Sequence, residues 1–140
     1  MKKASTDELM KRLQSSNNIE QYIKENSEYL IDSSLSEYLN KLIKEKQLVK
    51  STVIKKSELN EIYGYQIFSG TRIPSRDKLI CLCIGMGLDL EETQQTLELA
   101  GLAPLYPKNK RDSIMIFEIP KQQRVREINE VLYNSGENTL

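Results

Sequence analysis

The sequence contains no histidine and no tryptophan, and it has only two cysteines. Without histidine the protein cannot build a Ser-His-Asp triad, a Cys-His pair or the zinc sites that use histidine ligands. Its carboxylates fall at the spacing of helix caps, and no nucleophile has a base beside it in the sequence. We therefore expect a protein that is not an enzyme, with no catalytic residues, no metal and no cofactor.

The two cysteines, Cys81 and Cys83, lie two positions apart in an apolar run. On a helix this spacing points the side chains to different sides, so the two thiols cannot bridge. We expect both to be buried structural residues rather than metal-binding or redox groups.

The chain also lacks long apolar runs and an excess of one charge. No segment resembles a signal peptide or an apolar span of about 18 residues, so we expect a cytoplasmic protein with no membrane partner. The 20 lysines and arginines balance the 20 aspartates and glutamates. Within this balance, residues 41–80 carry nine positive and four negative side chains, whereas residues 81–100 carry four negative side chains and no positive ones. Because the net charge is zero, only this uneven distribution of charge can indicate a nucleic-acid or membrane partner.

Apolar residues recur three and four positions apart along almost the whole chain, and this spacing predicts an all-α fold. The clearest amphipathic helix begins after Ser34, which forms a capping box with Glu37. Two short helices follow at about residues 50–57 and 60–69, and Gly70 ends the second. The other predicted helices begin near Ser5, Asn18, Ser75, Asp89, Asn109 and Gln123. The residues expected in the buried core are Leu35, Leu39, Leu42, Ile54, Leu59, Ile67, Leu79 and Leu97.

These helices fall into three predicted parts. Residues 1–33 form an N-terminal helical extension, and residues 34–101 form a central domain. Pro104 and Pro107 break the chain after this domain. Residues 102–140 then form a C-terminal helical extension, which we expect to pack on the same core.

The central domain has a specific order of parts: an amphipathic helix, two short helices joined by a tight turn, and a further helix pair. The informative segments are residues 65–75, YQIFSGTRIPS, and residues 87–93, GLDLEET. They resemble the lambda-repressor-like helix-turn-helix domains of bacteria and phages, the Xre class, in which a Gly-x-Arg-x-Pro turn follows the second short helix. With its C-terminal helices the chain is similar to a longer subgroup of bacterial regulators.

The resemblance implies a lambda-repressor-like helix-turn-helix bundle with additional terminal helices. It further implies a transcriptional regulator that binds double-stranded DNA sequence-specifically, and we expect a repressor. In this family the start and the solvent face of the second short helix meet base edges. The corresponding residues here are Asn60, Glu61, Ile62, Tyr63 and Gln66. Phosphate contacts are expected from Lys50, Ser51, Thr52, Lys55, Lys56 and Arg72.

Three positions depart from the family pattern. Ile54 replaces a small alanine, Glu58 replaces the glycine of the turn, and Gly64 stands where a branched apolar residue is usual. The bulk at residue 54 and its loss at residue 64 could compensate each other across the contact between the two helices. The alternative is a motif that no longer binds DNA and serves as a protein-interaction module, an antitoxin-like partner or an enzyme-inhibiting adaptor, through its acidic helix or its terminal helices.

We expect a homodimer, because one short helix touches only a few base pairs and two copies multiply the discrimination. The first candidate for the dimer contact is the apolar side of the last helix, with Val125, Ile128 and Leu132. The alternative is that this side packs within its own chain.

Overall fold

Helices account for all the regular structure in the part of the chain that our computed structural model describes, residues 5–26 and 34–140, where no strand occurs. The prediction of an all-α protein is therefore confirmed. Contacts divide the chain into two units, residues 1–32 and 33–140. Within the predicted N-terminal extension, residues 1–4 and 27–33 lie outside the described residues.

The first unit is a hairpin of two helices, α1 (Thr6–Ser15) and α2 (Ile19–Glu25). Ser5 and Asn18 cap them as predicted, because their side-chain oxygens accept backbone N–H groups of the first turn. Between the helices, Tyr22 is buried and its hydroxyl donates to the carbonyl of Leu9 at 3.5 Å. Arg12 also donates to Asn26, at 2.9 Å.

The helices of the second unit are α3 (Leu35–Glu45), α4 (Lys50–Lys56), α5 (Glu61–Ser69), α6 (Arg76–Gly85), α7 (Leu90–Leu99), α8 (Lys110–Glu118) and α9 (Val125–Asn134). Ser34, Ser75, Asp89 and Asn109 each accept the backbone N–H three residues further on. Each of these helices therefore begins where the sequence predicts, because a polar side chain satisfies a backbone donor that has no partner within the helix.

Helix α6 lies at the centre of the second unit, and Leu79, Ile80, Leu82 and Cys83 on it are completely buried. Among the eight predicted core residues, six are buried, whereas Leu35 and Leu59 are only half-buried at its edge. The two cysteines are free and buried, as predicted. Burial raises the pKa of Cys81 to about 11 and that of Cys83 to about 12, so both thiols are protonated at neutral pH.

The C-terminal extension belongs to this same core, because Met115 and Ile119 join the cluster that α3 to α7 build. The apolar stripe of α9 turns inwards against α6 and α8. Val125 is 2% exposed, and Ile128 and Leu132 are fully buried. The prediction that these three residues form a dimer contact is therefore wrong, since their apolar surface is already covered within the chain.

Two crossed ion pairs fasten α8 to α6. Arg76 donates to both carboxylate oxygens of Asp112, at 3.1 and 2.9 Å. In the reverse sense, Arg111 donates to both oxygens of Asp77, at 2.9 and 3.0 Å. Arg76 also donates to the carbonyls of residues 103 and 104, which fixes the loop before α8. Bidentate pairs of this kind set geometry as well as energy, so they hold the C-terminal extension in one orientation.

Candidate nucleic-acid interface

Helices α4 and α5 form the compact pair that the sequence predicts, with a turn at residues 57–60. In α4, Val53 and Ile54 are buried together with the hydroxyl-bearing Ser57 at its end. Glu58 adopts a left-handed backbone with φ of 55°. Asn60 then caps α5, because its side-chain oxygen accepts the N–H of Tyr63 at 3.2 Å. The amide oxygen of Asn60 is thus occupied, and this predicted base-reading residue has its first role in starting the helix.

An open groove runs along the solvent side of α5 beside the start of α4, and we call it the α4–α5 groove. Its lining residues are Lys50, Glu61, Ile62, Tyr65, Gln66, Phe68 and Ser69. Four of the predicted contact residues, Lys50, Glu61, Ile62 and Gln66, are therefore brought together. The Nζ atom of Lys50 lies 5.5 Å from the ring centroid of Phe68, which places a positive charge at one wall.

The most unusual side chain of the groove is Ile62, which is 69% exposed. It lines the groove together with the carboxylate of Glu61 and the amide of Gln66. The prediction omitted Tyr65 and Ser69, although they follow Ile62 at the helical spacing of three and seven and could have been found from it. The face thus combines apolar, acidic and amide chemistry on one short helix.

Tyr63, in contrast, does not line the groove. Its ring is half-buried against the core, and its hydroxyl accepts the backbone N–H of Ser75 at 3.3 Å. The guanidinium of Arg72 lies over the ring, 5.5 Å from its centroid. We therefore correct the role predicted for Tyr63: it supports the turn before α6 rather than offering its side chain to bases.

Arg72 also contacts the groove directly. Its Nε atom donates to the side-chain oxygen of Gln66 at 3.3 Å, and its backbone N–H donates to the Gln66 carbonyl at 3.2 Å. No further hydrogen bond of the Arg72 guanidinium is found to residues 5–26 or 34–140, and the residue is exposed. Arg72 therefore holds Gln66 while its guanidinium covers the Tyr63 ring.

The remaining predicted phosphate-binding residues divide between two sides of α4. Ser51 and Thr52 are exposed in the first turn. Thr52, with Lys55 and Lys56, lines a second groove that faces α9 rather than α5. Only Lys50 joins the α4–α5 groove. The structure therefore separates Lys55 and Lys56 from the face on which Gln66 lies.

Neither a family model nor a curated protein nor a solved structure matches this chain. In the described ranges, no group of three or more His, Cys, Asp or Glu side chains is arranged to hold a metal ion. None of the helices described has the length and apolar character needed to cross a membrane. What the α4–α5 groove can bind must therefore be argued from its own chemistry.

Proposed function

We propose that this protein is a non-catalytic, cytoplasmic regulator that binds double-stranded DNA through α5 and represses transcription by occupying an operator. The observation that carries the proposal is the exposed face of α5 beside a lysine of α4. A short helix with an exposed apolar side chain among hydrogen-bonding groups fits the major groove, which is about 12 Å wide and displays both kinds of group.

Three side chains of the face have a matching base edge. Ile62 can contact the methyl group of thymine, and the carboxylate of Glu61 can accept from the amino group of cytosine. Gln66 can donate to acceptors on the base edges. Lys50 adds sequence-independent attraction to a phosphate, which positions the helix without reading bases.

We further propose that the protein binds as a homodimer to two half-sites about 34 Å apart. The apolar stripe of α9 is buried, so this dimer uses a different surface. Sedimentation of the full chain, alone and with a two-site duplex, tests the proposal. We expect two chains per duplex, and a single chain bound to one half-site contradicts the dimer.

A second candidate function, a protein-interaction module, is favoured by one observation on the first unit. Four apolar side chains of α1 and α2 are 40–58% exposed: Met10, Leu13, Ile19 and Ile23. This amount of apolar surface on a short hairpin suits contact with a protein partner. A protein of this second kind would bind no duplex even at low salt.

The decisive experiment is a titration with a labelled duplex from the region immediately upstream of the protein's own gene, since small repressors commonly control themselves. A scrambled duplex of equal length and composition provides the non-specific reference. We expect tighter binding to the upstream duplex, and we expect Ile62→Ala and Gln66→Ala to reduce that preference. Gln95→Ala is the matched control, because Gln95 is an exposed glutamine on α7, outside the groove. Absence of duplex binding at low salt overturns the proposed function.

A further inference from the structure

A second groove lies between α4 and α9, on a different side of α4 from the α4–α5 groove, and we call it the α4–α9 groove. Its lining residues are Thr52, Lys55, Lys56, Glu58, Arg124 and Arg126. Helix α9 belongs to the C-terminal extension, so this groove exists only because the extension packs beside the helix-turn-helix pair.

The groove gathers positive charge from two separate elements. Four of its lining side chains are cationic and one is acidic. Arg126 lies 3.7 Å from Glu58, and Arg124 lies 2.9 Å from Glu127, which adjoins the groove. Four positive and two negative charges leave an excess of two. Within the described ranges, Lys55 and Lys56 form no ion pair.

The two arginines remain accessible despite these ion pairs. The Arg124 and Arg126 side chains are 75% and 77% exposed. Exposed ion pairs contribute little to stability, so both guanidinium groups can exchange a carboxylate for another anion. Guanidinium groups bind phosphate oxygens through two parallel hydrogen bonds, and lysines act as point charges for the same groups.

We propose that the α4–α9 groove binds the phosphodiester backbone of the DNA that α5 reads, beyond the bases α5 contacts. This inference rests on the proposed function. The same short helix lines both grooves: Lys50 faces the α4–α5 groove, while Lys55 and Lys56 face the other. A duplex bound to α5 therefore has to extend only across α4 to reach the second cluster of cations. The C-terminal extension thereby enlarges the DNA-binding surface.

Phosphate contacts carry no sequence information, so the groove should raise affinity for every duplex equally. The test compares wild type with the double variant Arg124→Gln/Arg126→Gln, using upstream and scrambled duplexes over a series of salt concentrations. Each lost phosphate contact lowers the slope of log K against log salt by about 0.9, so we expect a decrease of about 1.8. Affinity should fall by the same factor on both duplexes.

Three further variants make the result specific. Lys55→Gln/Lys56→Gln changes the other wall and should lower the slope by a similar amount. Arg124→Lys/Arg126→Lys retains the charge and should keep most of the slope of log K against log salt. If the arginines only supported the structure, the slope would not depend on whether their charge is retained. Lys41→Gln/Lys44→Gln removes two exposed cations of α3 and should leave the slope unchanged.

The outcomes separate this inference from the proposed function. If wild type binds the upstream duplex and both glutamine double variants keep its slope, the α4–α9 groove does not contact phosphate, and the proposed function stands. If the groove variants weaken only the upstream duplex, the groove reads sequence and the phosphate assignment is overturned. If wild type binds no duplex, both proposals fail together.

Discussion

Ile54 fills the space that Gly64 leaves open. A Cβ atom placed on residue 64 would lie 2.6 Å from Cγ2 and 2.8 Å from Cγ1 of Ile54. Ile54 itself is 2% exposed, so it cannot turn away into solvent. Ile54 and Gly64 are therefore complementary in volume across the α4–α5 contact. At this point of the contact the bulk lies on α4 rather than on α5, and the two helices pack closely.

This relationship predicts a strong coupling between residues 54 and 64. Gly64→Val should overpack the contact and destabilise the fold by about 1 to 3 kcal/mol. Ile54→Ala should leave a cavity and cost about 2 to 5 kcal/mol. In the double variant Ile54→Ala/Gly64→Val, the valine occupies the vacated space, so the loss should be smaller than the sum by about 0.5 to 3 kcal/mol. Urea denaturation measures all three, and additive losses would show that the two residues do not share one space.

The turn between α4 and α5 holds a strained residue. Glu58 has φ of 55°, a region that costs a residue with a Cβ about 1 to 2 kcal/mol. Glu58→Gly should therefore stabilise the fold. The net gain should be about 0.5 to 1 kcal/mol, because glycine also raises the conformational entropy of the unfolded chain and this offsets part of the relieved strain. Its exposed ion pair with Arg126 is worth little.

Glu58→Ala is the matched control for this prediction, because alanine also loses the ion pair but retains the Cβ atom. Thermal denaturation should therefore show a higher midpoint for Glu58→Gly and no such increase for Glu58→Ala. Equal midpoints for the two variants would show that the change in thermal stability comes from the charge of residue 58 rather than from its backbone conformation.

The helix starts were predictable from sequence, because a cap depends on residues only three apart. Ser75 and Asp89, for example, each accept the N–H that their spacing implies. The surface against which the apolar stripe of α9 packs was not predictable in this way. Val125, Ile128 and Leu132 form the same amphipathic stripe whether the stripe meets its own core or a second copy. Only the position of α6 and α8 decides between these two outcomes.

The candidate interface was predictable to the same extent. Helical spacing places Glu61, Ile62 and Gln66 on one side, and they do line one groove. The support role of Tyr63 depends on Ser75, twelve residues away, which the α5 sequence does not encode. Likewise, the α4–α9 groove joins residues about seventy positions apart in the chain. Long-range contacts therefore account for most of what the sequence did not predict.

Asp112 should make the fold sensitive to acid. Burial raises its pKa, but hydrogen bonds from Arg76 and the Tyr106 N–H, with the charges of Arg76 and Arg111, outweigh burial and lower the pKa overall. A carboxyl with a lowered pKa in the folded state stabilises the fold above its unfolded pKa of about 3.9, and this stabilisation is lost as pH falls through the folded pKa. The free energy of unfolding should therefore decrease as pH falls from about 5.

Asp112→Asn tests this prediction, because the amide keeps the shape of the side chain but cannot ionise. We expect a loss of about 3 kcal/mol at pH 7, since the variant leaves Arg76 without its buried partner. We also expect a weaker dependence of stability on pH below 5. Asp77→Asn changes the more exposed pair, 37% exposed on the carboxylate side, and should cost less. An acid profile identical to wild type in Asp112→Asn would assign the acid sensitivity to other carboxylates.

Under the proposed function, the contact between Arg72 and Gln66 predicts which bases the protein prefers. Pairing with adenine uses both the oxygen and the nitrogen of a glutamine amide. In the protein the side-chain oxygen of Gln66 already accepts from Arg72 Nε at 3.3 Å, so the N–H donors of the amide are left for a base edge. Guanine presents two acceptors in the major groove, whereas adenine presents one acceptor beside an amino donor. Gln66 should therefore favour guanine over adenine.

Arg72→Ala should free the Gln66 oxygen and shift the preference at that position towards adenine, with a change in discrimination of about 1 to 3 kcal/mol. The measurement is a competition among duplexes that carry each of the four base pairs in turn at every operator position. Arg72→Lys keeps the positive charge but has no Nε donor fixed in a guanidinium plane, so it should show the same shift in preference with a smaller loss of overall affinity. Gln66→Ala should remove the preference in either background. Equal weakening of all four duplexes by Arg72→Ala, with the order of preference unchanged, would mean that Arg72 contacts phosphate only and does not orient Gln66.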